Sequence, residues 1–298
     1  MAKLAFIGLG QMGLPMARNL VRGGHSVRGF DIDAAAVQRH LANGGAAATS
    51  PAEAADGAEF VFTMLPNGSH VRAVLFGEEG VLSTIPSSSL YIDMSTIHPL
   101  ETDALHQEVR EHGNPMVDAP VGRTSVQAEE GTLLIMAGGR KENVDRARPL
   151  FSLLGDTIEY CGGPGSGSRM KIVNNFMSTV LNVLTAETLA IADAVGLDRD
   201  LAIRILSGTT AGRGHLTTTY PAKVLKGDLS PAFMIDLANK DLGIALDVAS
   251  SVPLPLIVGA AARQVYSMAR AQGRGRQDWT ALYAMLSEIT GAKSKNLE

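Results

Sequence analysis

Four polar residues interrupt an apolar stretch midway along the chain: Lys171, Asn174, Asn175 and Ser178, spaced i, i+3, i+4 and i+7. At about 100° per residue, helical winding gathers them into one arc about 100° wide. Their neighbours Met170, Ile172, Val173, Phe176, Met177, Val180 and Leu181 are apolar, and a helix apolar on most sides is normally buried. The stripe is therefore expected to be a polar face inside the protein. Amides and an ammonium there need partners, and a ligand is one way to supply them. A lysine in a partly desolvated pocket has a lowered pKa and serves as an acid or base. Lys171 is thus the leading catalytic candidate. The competing reading is a solvent-facing stripe, since Lys and Asn are mostly exposed.

A second constellation opens the chain. Gly8-Leu-Gly10-Gln-Met-Gly13 follows a short apolar run and fits G-x-G-x-x-G. In that pattern Gly8 permits a tight turn, Gly10 lets backbone approach a pyrophosphate, and Gly13 lets a helix pack closely on a strand. A helix beginning near Gln11 would point its free N–H groups and positive dipole end at the phosphates. Asp31, in Gly-Phe-Asp-Ile-Asp, ends the second apolar run. A carboxylate there accepts hydrogen bonds from adenosine ribose hydroxyls and repels a 2′-phosphate, which favours NAD (as NADH) over NADP. Arg28 lies nearby and tempers that choice. The plainer alternative is a structural glycine turn with a helix-capping Asp.

These groups need a frame. Residues 3–8, 27–31, 60–64, 90–94 and 116–117 read as buried strands bounded by Gly, Pro, Asp or Asn, with helices over 12–21, 34–41 and 100–111. Residues 132–137 and 157–160 read as further strands flanking a helix over 143–154. Such alternation predicts an α/β fold, a mostly parallel, Rossmann-type sheet. The loop Gly162-Gly-Pro-Gly-Ser-Gly-Ser168 is the richest loop signal in the chain. It places the boundary between a nucleotide-binding domain over 1–162 and an all-α domain over 163–298. The second is entered through one long helix over 169–195, with further helices over 198–207, 232–250, 256–271 and 278–290.

The bulk composition bounds the function class. A chain of 298 residues suggests two domains. A net charge of −4 leaves no basic footprint for nucleic acid or anionic lipid, so an anionic ligand must be held by a few local cations. Cys161 is the single cysteine, which excludes an internal disulfide and points to a reducing, cytoplasmic setting. No apolar run approaches the roughly 18 residues of a membrane span. No His, Cys or carboxylate cluster has metal-ligand spacing, so no metal is expected.

With these residues assembled, the chain resembles the β-hydroxyacid dehydrogenases. The resemblance rests on residues 6–13 with Met16-Ala-Arg-Asn-Leu20, Met64-Leu-Pro66, Asp93-Met-Ser-Thr96, Asp118-Ala-Pro-Val-Gly122, Gly131-Thr-Leu133, Lys171-Ile-Val-Asn-Asn175 and Lys240-Asp-Leu242. It implies a Rossmann domain, a helical domain built around a long interdomain helix, and homo-oligomers (dimer or tetramer) formed through the helical domain. It further implies that Lys171 is the catalytic acid/base, that Asn175 positions substrate, and that Gln11, Met12, Asp31, Leu65, Thr96 and Lys240 line the cofactor. The implied activity is hydride transfer between nicotinamide and a small aldehyde or hydroxy compound carrying an anionic group.

One departure is informative. The family commonly follows Asp-Ala-Pro-Val with Ser-Gly-Gly, whereas this chain has Gly122-Arg-Thr-Ser125. Arg123 adds a forked cation with five N–H donors, which suits an anion with more acceptor oxygens, such as a sulfonate. With residues 207–215, 230–237 and 273–279, this loop is similar to a sulfonate-handling branch of the family. That likeness implies that Gly122, Arg123, Thr124 and Ser125, together with Asn174 and Ser178, form the anion site. An Arg123 turned outward to water is the alternative. A carboxylate substrate is the rival assignment, and a non-catalytic NAD-binding regulator would have no use for the stripe from Lys171 to Ser178. Histidine catalysis ranks lower. Of seven histidines, His25, His40, His70, His106 and His112 occupy positions typical of surfaces, and only His98 and His215 are placed to approach a cleft.

Overall fold

The computed structural model describes residues 1–251 and 254–290. The chain forms two compact units, Met1–Phe176 and Met177–Glu298.

The first unit is one nine-stranded sheet with helices on both faces. Its first half runs β1 (Lys3–Ile7), α1 (Gly13–Arg22), β2 (Ser26–Phe30), α2 (Ala34–Ala42), β3 (Ala46–Ala47), α3 (Pro51–Ala55), β4 (Phe60–Thr63) and α4 (Gly68–Phe76). There follow β5 (Leu90–Asp93), α5 (Pro99–Glu111), β6 (Met116–Asp118), β7 (Val121–Gly122) and α6 (Ser125–Glu130). The unit closes with β8 (Leu133–Gly139), α7 (Lys141–Leu154), β9 (Gly155–Gly162) and the start of α8 (Ser166–Ala194). The order β3-β2-β1-β4-β5-β6 is parallel throughout. This is the doubly wound arrangement, with its switch point between β1 and β4. Strand alternation divides the core: Leu4 and Phe6 join Phe62, Ile92, Met16 and Leu20 on one face, while Ala5 and Ile7 join Val61, Tyr91, Leu75 and Leu105 on the other.

Beyond β6 the sheet is mixed. β8 pairs antiparallel with β6 at Gly138–Gly139 and with β7 at Leu134–Ile135, and its other edge takes β9 in parallel. His40 is a correction to the sequence reading. It is fully buried, with Nε2 on the Val27 carbonyl at 3.1 Å. Gly29 and Gly45 make the room, since a Cβ at either would collide with its ring.

The second unit holds the remainder of α8 with α9 (Arg199–Gly208), α10 (Thr210–Arg213), α11 (Thr219–Ala222), α12 (Ile235–Ser251), α13 (Ile257–Ala271) and α14 (Leu282–Thr290). Among its described residues there is no strand beyond an isolated bridge between Met234 and Asp278. Its core includes Ile235, Ala269, Ala281 and Met285. Glu187 of α8 caps α13 by accepting from the Val258 and Gly259 N–H groups at 2.8 and 3.1 Å. No helix of the described residues is long and apolar enough to cross a membrane.

Candidate active site

A groove of about 530 Å³ lies at the switch point, lined by Gly8, Gly10, Gln11, Met12 and Gly13 of the first loop, Asp31 and Ile32 after β2, and Met64, Leu65 and Pro66 after β4. The three glycines have different reasons to be glycine. Gly8 sits at φ 95°, and a Cβ there would strike the Met64 carbonyl. At Gly13 a Cβ would strike the Gly8 carbonyl. A Cβ at Gly10 would meet nothing within 4 Å. Protein packing therefore asks for glycine at 8 and 13 but not at 10, where the open space suits the close approach of a ligand's pyrophosphate. The N-terminus of α1 receives no side-chain cap and has no acidic residue in its first turn, which leaves its dipole to an anion. These residues fit a dinucleotide.

Asp31 does two jobs at the rim. Its Oδ2 accepts from the Leu9 N–H at 2.6 Å and its Oδ1 from the Asp33 N–H at 2.8 Å, so it ties the glycine loop to the end of β2. Below the next loop lies a buried polar network that sequence reasoning missed. Tyr91 Oη pairs with Thr63 Oγ1 at 2.7 Å, and Thr63 donates to Asp93 Oδ1 at 2.9 Å. The Ser95 N–H donates to the same carboxylate at 3.1 Å, while Ser95 Oγ accepts from the Leu65 N–H at 2.9 Å. Burial pushes the Asp93 carboxyl up, opposed by its bonds from Ser95 and Thr63. The network joins the loop of Leu65 to that of Thr96, which is exposed just beyond.

Lys171 is half-buried on α8, with Nζ donating to the Val121 carbonyl at 2.6 Å. Burial lowers its pKa, as an acid/base lysine requires. Asn174 Nδ2 donates to Asn175 Oδ1 at 3.2 Å. The apolar residues around them are not enclosed within the chain, contrary to the expectation from their hydropathy: Val173 and Phe176 are 65% and 71% exposed. The first unit covers one side of α8 here, the side that carries Lys171.

The Gly122–Ser125 loop leads from β7 into α6. Gly122 is buried; Thr124 caps α6 in a reciprocal box with Gln127; Ser125 is the first helical residue. Ser125 lines a cavity with Gly10 and Gln11, so this loop borders the glycine loop. Arg123, at φ 74°, turns its guanidinium to Asp156 at 2.6 Å, Thr157 Oγ1 at 3.2 Å and the Thr132 carbonyl. Arg123 is thus exposed, yet its guanidinium is engaged by Asp156 and not turned free to water. Asp156 stands in none of the quoted motifs, and Val121, though inside one, gave no sign that its carbonyl would take Lys171.

Ser178 and Lys240 belong to the second unit, where both residues are exposed. His215 packs edge-on against Trp279 there, ring centroids 4.6 Å apart. His98 caps α5 by accepting from the Leu100 N–H at 3.2 Å. His106, read as a surface residue, instead reaches the buried Asp118 at 2.8 Å.

Comparison with known proteins agrees with this architecture. Residues 3–163 match the model of the NAD binding domain of 6-phosphogluconate dehydrogenase. Residues 165–286 match that of the NAD-binding domain of NADP-dependent 3-hydroxyisobutyrate dehydrogenase. The 3-sulfolactaldehyde reductase of Escherichia coli (strain K12) is 55% identical over 296 residues, 99% of each chain. The NAD-dependent L-serine dehydrogenase of Pseudomonas aeruginosa is 35% identical over 297 residues, covering 98% of this chain and 100% of that one. A Mycobacterium tuberculosis 3-hydroxyisobutyrate dehydrogenase solved with L-serine superposes with a TM-score of 0.68 at 33% identity, covering 96% of this chain and 99% of the other. The chain belongs to the β-hydroxyacid dehydrogenase family of NAD-dependent oxidoreductases.

Proposed function

We propose that this chain reduces 3-sulfolactaldehyde to 2,3-dihydroxypropane-1-sulfonate with NADH. Bound NADH supplies the hydride to the aldehyde carbon. Lys171 delivers the proton to the carbonyl oxygen from Nζ, and its charge stabilises the oxygen as negative charge develops there. The Val121 carbonyl orients that ammonium, and its half-buried setting eases release of the proton. Arg123, Asn174 and Ser178 bind the sulfonate, with Gly122, Thr124 and Ser125 shaping the loop and Asn175 positioning the substrate. Fixing the aldehyde in this way contributes several kcal/mol to the rate enhancement.

The observation that carries the reading is the 55% identity with the Escherichia coli enzyme across 99% of both chains. A carboxylate substrate is the second reading, favoured by the engagement of Arg123 with Asp156 and by the 35% identity with an L-serine dehydrogenase. Turnover assays with 3-sulfolactaldehyde, tartronate semialdehyde and succinic semialdehyde separate the two. The sulfonate should lead in kcat/KM by about ten-fold or more; a carboxylate leading instead overturns the assignment. Tight NADH binding without turnover of any aldehyde would indicate a regulator. Assembly of copies through the helical unit would cover exposed apolar residues of that unit such as Leu181 and Leu184, and sedimentation velocity tests it.

A further inference from the structure

One four-residue segment, 118–121, holds Lys171 at two points. At one end the Asp118 carboxylate, 2% exposed, accepts from the backbone N–H groups of Gly165 at 2.9 Å and Ser168 at 2.8 Å, at the start of α8. At the other end the Val121 carbonyl takes Lys171 Nζ. A third donor reaches Asp118 from α5, where His106 Nε2 lies 2.8 Å from Oδ1. Three residues earlier on α5, Asp103 pairs with Arg169 of α8 at 3.0 and 2.6 Å. Ser168 Oγ adds a bond to the Ile97 carbonyl at 3.1 Å.

We infer that Asp118 and His106 are positioning residues for Lys171, fixing the rotation of α8 about its axis and hence the place of Nζ. The inference rests on Lys171 as the proton donor. A helix whose first turn is bonded through two N–H groups to one buried carboxylate cannot turn without breaking both bonds. The carboxylate also complements the helix dipole. A rotation of about 20° displaces a group about 5 Å from the axis by about 2 Å. Productive geometry tolerates about 0.5 Å, and a misplacement of about 1 Å costs up to about 10²-fold in rate. Asp118 is bonded to the start of α8 and not to Nζ itself, so it acts through the helix. Asparagine cannot replace it. With one acceptor oxygen left, its amide N–H₂ must face either the Gly165 or the Ser168 N–H.

The test is steady-state kinetics of D118N, H106A and H106Q, with NADH affinity from fluorescence titration, in the wild-type and K171A backgrounds. D118N should lower kcat about 10²-fold and H106A about 10-fold, with the NADH Kd within about two-fold of wild type. H106Q keeps a donor toward Asp118 and should recover most of the loss. In the K171A background neither D118N nor H106A should cost more than about two-fold further, because all three act at one point. Additive losses there, unchanged kcat in the single variants, or an NADH Kd that weakens in step with kcat would each overturn the inference. Should D118N not fold, the pair H106A and H106Q decides alone. A K171A enzyme with near-normal kcat removes the proton donor itself, a failure distinct from an active-site lysine that is indifferent to Asp118.

Discussion

The Arg123 guanidinium donates to the Asp156 carboxylate at 2.6 Å from a backbone held in the left-handed region. The Thr157 hydroxyl first, and Arg123 next, hold the Asp156 carboxyl below its ordinary value. Their side chains are 36% and 53% exposed, and ion pairs so open to water are weak. In the proposed function a sulfonate would compete with Asp156 for the same fork. Arg123→Ala should lower kcat/KM for 3-sulfolactaldehyde about ten- to a hundred-fold and that for uncharged glyceraldehyde far less. Arg123→Lys should rescue only in part, because one ammonium does not reproduce the fork. Asp156→Asn removes the competitor and should lower KM for the sulfonate by about two- to five-fold. Equal slowing of both aldehydes by Arg123→Ala would make Arg123 structural.

The glycine loop offers a cleaner separation of folding from binding. Gly10→Ala meets no protein atom within 4 Å, so its melting temperature should match wild type. Its NADH affinity should fall about ten- to a hundred-fold as the backbone is held off the pyrophosphate. Gly13→Ala drives a methyl into the Gly8 carbonyl and should depress both. Calorimetry beside fluorescence titration checks the pair, and an unchanged NADH Kd in Gly10→Ala would sink the pyrophosphate reading.

The sheet was legible where strands are buried along their whole length and largely apolar, as in β4 and β5, which end in Thr63 and Asp93. It was not legible at β3, two exposed alanines joined to the sheet edge by backbone bonds alone, nor at β7, two residues long. The antiparallel course of β8 was equally hidden, since strand direction depends on connections and leaves no mark in hydropathy. In the site, glycine spacing put Gly8, Gly10 and Gly13 along one groove and Lys171 on a helix, because backbone geometry turns spacing into position. The partners that hold those groups did not announce themselves. Asp118 meets Ser168 fifty residues away, and Arg123 meets Asp156 thirty-three residues away. His40 misled for a related reason: a polar ring is buried where Gly29 and Gly45 leave room for it.

Asp31 should enforce the preference for NADH. Its Oδ2 is committed to the Leu9 N–H, so Asp31→Ala should disturb the glycine loop and weaken both cofactors. Asp31→Asn keeps an acceptor for that N–H while removing the charge. Combined with Ile32→Arg, at a side chain 93% exposed on the groove rim, it should move the kcat/KM ratio of NADPH to NADH upward by about ten-fold or more. A wild-type enzyme equally efficient with both cofactors would refute the role given to Asp31.

Lys171 carries the sharpest pH signature. Burial lowers its pKa, and in the proposed reduction the charged form is the donor. The kcat for reduction should therefore be level at neutral pH and fall as pH rises through the Lys171 pKa, at a lower pH than an exposed lysine would show. The reverse oxidation needs the neutral amine as base, so its kcat should rise through the same range. Lys171→Ala should cut kcat about 10²–10⁴-fold and abolish both limbs, with NADH affinity within about two-fold because the groove of Gly10 and Asp31 is untouched. Lys171→Arg keeps the charge yet releases its proton far too reluctantly to donate, and should stay within about ten-fold of Lys171→Ala. The pH profiles of kcat in both directions, for wild type and both variants, decide the matter. A pH-dependent limb that survives in Lys171→Ala assigns the proton to another group.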